Sequence, residues 1–311
     1  MTTPSRPLPA APLLSRRQLL LSGLTSLAGL ALTRPVAKAQ EASTPPPKTS
    51  LKFSSWLLGL QGDMEQQLDF VERSGFEAIE LRGSIAKEKQ NWIKTLSKRP
   101  FTVSAMDWSH FTDMVSDDKT KRQTSIDSLK FAIDTAHEVK APVLVCVPPR
   151  YGQNVVLPDP VTTRKILLET LPPLAELAAQ AGTCIGVEAV HRSNVNCLHT
   201  LVEVAGFIRE SKSAGLGLVA DFAVMINEET NQTGAMLSGG KYIKQVHLSS
   251  RRRTLPGKEK EDEQQFLEGF RGLKMIGYQG FCSYEVWKDR EVYQQDVGKS
   301  MAFLRDVWAR A

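Results

Sequence analysis

Glu188, Asp221, His247 and Glu285 each stand at the C-terminal end of a short apolar run, and the runs are spaced about one strand-plus-helix unit apart. They read CIGVEAV (184–190), LGLVADF (216–222), YIKQVHLSS (242–250) and FCSYEVW (281–287). In each run the polar residue interrupts the hydrophobic pattern where a parallel strand would end. Three carboxylates and one imidazole brought together suit a divalent cation. Hard oxygen donors with a single nitrogen favour Mn2+, with Mg2+, Co2+ or Zn2+ as alternatives. Taken singly, a strand-end acid more simply caps the next helix or pairs with an arginine. Four in register on four successive strands make that simpler account a poor one.

Convergence requires a scaffold that presents successive strand ends at one mouth. Strand-like runs occur near 51–58, 77–82, 101–107, 142–147, 184–190, 216–222, 242–248 and 280–287. Helical patterns lie between them, with apolar residues recurring at three and four, as in TSIDSLKFAIDTAHEVKA and LVEVAGFIRESKSAG. Gly75, Gly182, Gly215 and Gly277 mark helix stops before strands. Eight alternations over residues 51–311 predict a single α/β domain, a closed (β/α)8 barrel with its chemistry at the C-terminal ends of the strands. The second helix, 85–97, and the sixth, around 231–241, are the least regular segments.

The N-terminus reads differently. Residues 1–39 carry Arg16 and Arg17 after Ser15, an apolar stretch from Leu19 to Leu32, and Ala37-Lys38-Ala39 as a small-x-small cleavage site. The arginine pair resembles a Tat-type signal, which predicts export to the periplasm or beyond. An apolar stretch of about 14 residues falls short of the roughly 20 that a membrane-spanning helix needs, so no stable membrane anchor is expected after cleavage. Residues 40–50 are Pro-rich and read as a linker.

The leader holds five basic residues and no acid, so its loss takes the net charge from +5 to zero. The basic pI is thus no argument for nucleic acid. Arg251-Arg252-Arg253 is followed by the acidic run 259–263, which makes a mixed-charge loop. The four cysteines show no CxxC and read as buried free thiols.

Three stretches resemble the xylose isomerase-like superfamily of sugar isomerases and epimerases, most of all its D-tagatose/D-psicose 3-epimerase branch. They are Gly186 to Arg192, His247 through Arg253-Thr254-Leu255-Pro256-Gly257, and Ile276-Gly277-Tyr278 with Gly280 to Glu285. The resemblance covers roughly residues 51–311. It implies a TIM barrel that binds a small carbohydrate, with Glu188 and Glu285 as metal ligands and acid/base pair, Asp221 and His247 as ligands only, and Arg253 on a substrate oxygen. It leaves room for a homo-oligomer. The pattern is broken at Val224, where the family usually has a histidine, and at Asn194, where it has a second acid, so the ion is expected to be kept while the substrate differs.

His191, beside Arg192, is a candidate to compensate, against the simpler reading of a loop histidine satisfied by backbone. Glu80 and His110 point to the same mouth as substrate contacts or as structural hydrogen-bonding groups. Trp56, Trp108 and Trp287 are candidates for stacking on a sugar face or for rim packing. Arg150, after Pro148-Pro149, faces an acidic substrate or solvent. The expected activity is an exported, metal-dependent sugar isomerase or epimerase working through an enediolate. The alternatives are a lyase or dehydratase on a 3-keto-glycoside or inosose, and a sugar-binding barrel without turnover. Five histidines, two of them (His137 and His199) in helical patterns, together with zero net charge after the leader and the export signal, speak against the three-zinc endonuclease IV pattern and DNA repair.

Overall fold

The computed structural model describes residues 49–57 and 60–311. The expected leader, 1–39, and most of the expected linker, 40–50, lie outside the described residues. Eight parallel strands close into one barrel in sequence order. They are β1 (Lys52–Trp56), β2 (Ala78–Arg82), β3 (Thr102–His110), β4 (Val143–Val147), β5 (Cys184–Glu188), β6 (Leu216–Asp221), β7 (Ile243–Leu248) and β8 (Phe281–Tyr284). β1 closes the ring by pairing with β8, Phe53 opposite Cys282.

Each strand is followed by helical structure on the outside. The helices are α1 (Met64–Arg73), α2 (Lys89–Leu96), α3 (Lys119–Glu138), α4 (Pro160–Gln180), α5 (Leu201–Ser211), α6 (Phe222–Glu228), α7 (Gln232–Gly239), α8 (Asp262–Met275) and α9 (Tyr293–Arg310). Their starts are written locally. Asp63 and Gln66 form a capping box on α1, Thr200 and Glu203 another on α5, and Asp159 with Pro160 opens α4. The two irregular segments resolve into short pieces. A 3-10 turn (Gly83–Lys87) precedes α2, and α6 and α7 share the space after β6. No helix among the described residues is long and apolar enough to cross a membrane.

The strands pack outward against the helices through one continuous apolar layer that includes Phe53, Leu81, Phe222, Phe266 and Tyr284. The lumen is divided. On the β3 to β6 side Ala105, Val143, Val145 and Val219 form a small dry cluster. Towards β1, β2 and β7 it is polar: the Ser54 and Ser104 hydroxyls meet at 2.6 Å across β2, and Gln245 Nε2 donates to Glu80 Oε2 at 2.9 Å.

β3 breaks the alternation that would otherwise fix its faces. Val103 pairs with Ile79 and packs among the helices, yet Glu80, one residue on, pairs with Ala105. The extra residue shifts the side-chain parity by one, so Ala105 lies in the lumen cluster and Met106 in the outer layer. Asp107 therefore turns inward.

Three of the four anticipated helix stops, Gly75, Gly182 and Gly277, adopt φ between 67° and 77°, the left-handed conformation expected of them. Gly215 does not. It lies against α4, where an added Cβ would stand 1.8 Å from the Ala175 carbonyl oxygen. Gly215→Ala should therefore force α4 away from β6 and destabilise the barrel by about 3 kcal/mol or more. Equilibrium denaturation tests this, and an unchanged midpoint would show that α4 yields freely.

Candidate active site

The four residues singled out first come together. Glu188 and Asp221 are the last residues of β5 and β6, His247 is the last but one of β7, and Glu285 follows β8 directly. One donor atom from each lies within 4.8 Å of the others, and all four side chains are buried. Asp221 also does what a strand-end acid does by default: its Oδ1 accepts the Ala223 N–H at 2.9 Å and caps α6.

Two basic side chains face these acids. His247 Nδ1 lies 3.2 Å from Glu188 Oε1 and 3.3 Å from Glu285 Oε2, while Nε2 lies 3.0 Å from Glu80 Oε1. Arg253 bridges the cluster, with Nη2 2.5 Å from Asp221 Oδ2 and Nη1 2.6 Å from Glu285 Oε2. Its backbone holds φ at 65°, a conformation costly to a non-glycine residue. The cost is offset by its bonds: its N–H donates to Ser250 O at 2.9 Å, and its carbonyl accepts the N–H groups of Trp287 and Lys288 at 3.0 Å. The loops after β7 and β8 are thereby tied together beside the site.

The charges sort the protonation states. Burial raises the Glu188 carboxyl to about 7. Burial pushes Glu285 the same way, but the charges of Arg253 and His247 outweigh it and hold the carboxyl down at about 2. For His247, burial opposes the imidazolium, yet Glu80 and Glu285 prevail and keep the ring's pKa well above its ordinary value.

The residues fit a divalent ion. Three carboxylates and one imidazole nitrogen lie at mutual distances that a single cation spans. The buried acids Glu80, Glu188, Asp221 and Glu285 outnumber Arg253, and His247 gives up its proton to serve as a ligand, so a divalent positive charge would relieve their repulsion. Glu80 sits behind His247 on the Nε2 side, where a carboxylate fixes the ring and turns Nδ1 towards the other donors.

A cavity of about 410 Å³ opens over the cluster. Its walls hold Glu80, His110, His191, Trp56 and Trp108, so the other candidate residues do face one space. Their contacts differ. His191 Nδ1 is 3.6 Å from Glu228, His110 Nδ1 is buried without a partner among the described residues, and Trp108 Nε1 donates to Ser128 Oγ at 3.1 Å. Trp56 stacks on Trp287 with centroids 6.2 Å apart, and Arg253 lies 5.0 Å over the Trp287 ring. Arg150 lines the same space, and Asn194 stands there too, whereas Val224 is buried in α6 and does not line it.

Asp107 also lines the cavity and was not anticipated. It closes an apolar run as the other site acids do, so the same rule applied to β3 would have selected it. Simple alternation, however, places it on the outer face. All four cysteines are unpaired thiols, as expected.

Comparison with known proteins agrees with this architecture. The family model of the xylose isomerase-like TIM barrel matches residues 68–307. A 3-dehydro-D-guloside 4-epimerase of Escherichia coli strain K12 is 24% identical over 251 residues, covering 77% of this chain and 93% of the relative. A ketose 3-epimerase of Arthrobacter globiformis is 24% identical over 244 residues, covering 77% and 82%. The solved D-psicose 3-epimerase of Clostridium cellulolyticum H10, crystallised with D-tagatose, shares the fold at a TM-score of 0.74 and 15% identity, over 83% of this chain and 99% of that one.

Because the Glu188 carboxyl is raised from an ordinary 4.5 to about 7, the folded protein keeps a proton there that the unfolded chain releases. Stability is therefore lost as pH rises from about 4.5 to 7 and stays lower above that. Without divalent ions, Glu188→Gln should raise Tm by several degrees at pH 8 and change it little at pH 5. With Mn2+ added the order should reverse, since the variant keeps only three of the four ligands and binds the ion more weakly. Calorimetric melts at both pH values decide this, and a variant that melts lower at pH 8 in chelator would refute it.

Proposed function

The chain belongs to the xylose isomerase-like TIM barrel family, and from that premise we propose that it is a divalent-metal-dependent sugar epimerase or isomerase acting on a ketose or keto-sugar. The observation that carries this reading is the placement of two buried glutamates, Glu188 and Glu285, on the two flanks of one donor cluster under an open cavity. Both relatives are named as sugar epimerases, which supports a carbohydrate substrate. The lysine- and arginine-bearing leader pattern of residues 1–39 supports an enzyme that works outside the cytoplasm.

Glu188, Asp221, His247 and Glu285 would hold the ion, and their oxygen-rich set favours Mn2+. Bound there, a divalent cation supplies the Lewis acidity that loosens the C–H beside a carbonyl and stabilises the enediolate. One of the two glutamates removes that proton and the other returns one to the opposite face, which inverts the carbon. Asp221 is already committed to Arg253 and the α6 cap, so it serves as ligand alone. Arg253 presents a fixed guanidinium between Asp221 and Glu285, where it can hold a substrate oxygen as negative charge develops. His191, His110, Trp56 and Trp108 contribute cavity wall around the sugar.

The test is incubation of the mature protein with Mn2+ in deuterated water, against ketoses, 3-keto-glycosides and inososes, read by NMR and mass. Deuterium beside the carbonyl with mass otherwise conserved is the expected result. Release of water or an aglycone would replace this reading with a lyase, and no exchange on any sugar would replace it with a binding protein. Glu285→Gln should stay folded and lose exchange by roughly 10²- to 10⁴-fold; exchange at the wild-type rate would remove the acid/base assignment.

A further inference from the structure

We propose that Asp107 is a substrate-binding residue, a carboxylate that accepts a hydrogen bond from a sugar hydroxyl at the end of the cavity served by β1 to β3. This inference rests on the reading of the cavity as a sugar site.

Three features of Asp107 point the same way. The first is aim. The extra residue in β3 before Ala105 turns Asp107 into the lumen, and a second irregularity follows it, between Asp107 and Ser109 in the pairing with β4. Irregularities of this kind next to a site re-aim side chains. The chain after β2 also crowds in, for a Cβ on Gly83 would stand 2.7 Å from the Asp107 carbonyl oxygen, so only glycine permits this approach.

The second is the unused hydrogen-bonding capacity. Trp56 Nε1 donates to Asp107 Oδ2 at 3.0 Å and the Gly83 N–H donates to Oδ1 at 2.9 Å. A carboxylate offers about four acceptor positions, so one on each oxygen remains. The two donors lock the group's orientation while the cavity stays open to it. Sugar hydroxyls are the donors such a group takes.

The third is the absence of a counter-ion. Among the described residues, no lysine, arginine or histidine lies within ion-pairing distance of Asp107. Burial, with the charges of Glu80 and Glu285 adding to it, lifts its carboxyl to about 6 against the two hydrogen bonds. Trp56 and Gly83 donate to different oxygens, so a carboxylate is needed to accept both, and it stands at the cavity with its charge uncompensated by a basic side chain. Perturbed acids cluster at functional sites, and this one faces the cavity.

The test compares wild type, Asp107→Asn and Asp107→Ala, each loaded with Mn2+, on D-tagatose, D-psicose, methyl 3-keto-pyranosides and their monodeoxy derivatives. Calorimetric Mn2+ affinity and Tm serve as controls. The alanine variant guards against misfolding, because its freed N–H groups open onto a wet cavity. A site built to bond a hydroxyl rejects the analogue that lacks it. In the wild type, removal of one particular hydroxyl should therefore lower kcat/KM by 10- to 100-fold or more. Asp107→Ala should lose roughly as much on the parent sugar and become indifferent to that hydroxyl, and Asp107→Asn, which keeps one acceptor oxygen, should lose less, with Mn2+ affinity unchanged in both. An alanine variant that keeps the parent activity or the same deoxy penalty, or either variant losing Mn2+ affinity, would overturn the assignment of Asp107. A wild type that turns over none of these sugars would overturn the sugar-site reading itself, and the two failures are thereby distinct.

Discussion

Mutual repulsion among carboxylates brought into one small space is the constraint on which the rest of the site depends. Glu80, Glu188, Asp221 and Glu285 are all buried at the barrel mouth, and Asp107 faces them. Removing a carboxylate from water costs several kcal/mol even after relaxation, on the order set by measured buried pairs. The fold meets that cost with Arg253, held by three backbone bonds in a left-handed conformation, and with His247, placed among three glutamates. The balance still leaves an excess of negative charge, which is the condition under which a divalent cation binds well.

The division of the lumen follows from the same constraint. A dry interior beneath Glu80 would leave its second oxygen without a donor. Instead Gln245 reaches across from β7, and the Ser54 and Ser104 hydroxyls continue the polar side. On the other half of the lumen, where no charge needs support, small and branched apolar residues fill the space. Gly186 belongs there, since a Cβ on it would fall 2.7 Å from Val143 and 2.9 Å from Val219. The core of the barrel and the electrostatics of the mouth are therefore one packing problem.

Aromatic residues connect the mouth to its rim. Trp56 joins Asp107 by hydrogen bond to Trp287 by stacking, and Trp287 carries the Arg253 guanidinium on its ring. Residues that a sequence reading treats as separate sugar-stacking candidates form a chain that orients an acid at one end and a cation at the other. Glu80 is similar: it borders the cavity but is fully buried, with one oxygen against His247 and the other bonded by Gln245.

The sequence by itself determined the eight-fold alternation, the helix caps, most helix stops, and the convergence of Glu188, Asp221, His247 and Glu285. These are local signals of fixed period, and closing a parallel barrel in chain order brings consecutive strand ends together. Tertiary structure alone decided what one extra residue does. The added residue in β3 reverses the inward and outward faces beyond it, which turns Asp107 into the cavity, and alternation read from sequence cannot register such a slip because the composition on either side is unchanged. It likewise decided that Gly215 answers to the Ala175 backbone rather than to a left-handed turn. Contacts between strands and helices far apart in the chain depend on the closed barrel, and no local pattern encodes them.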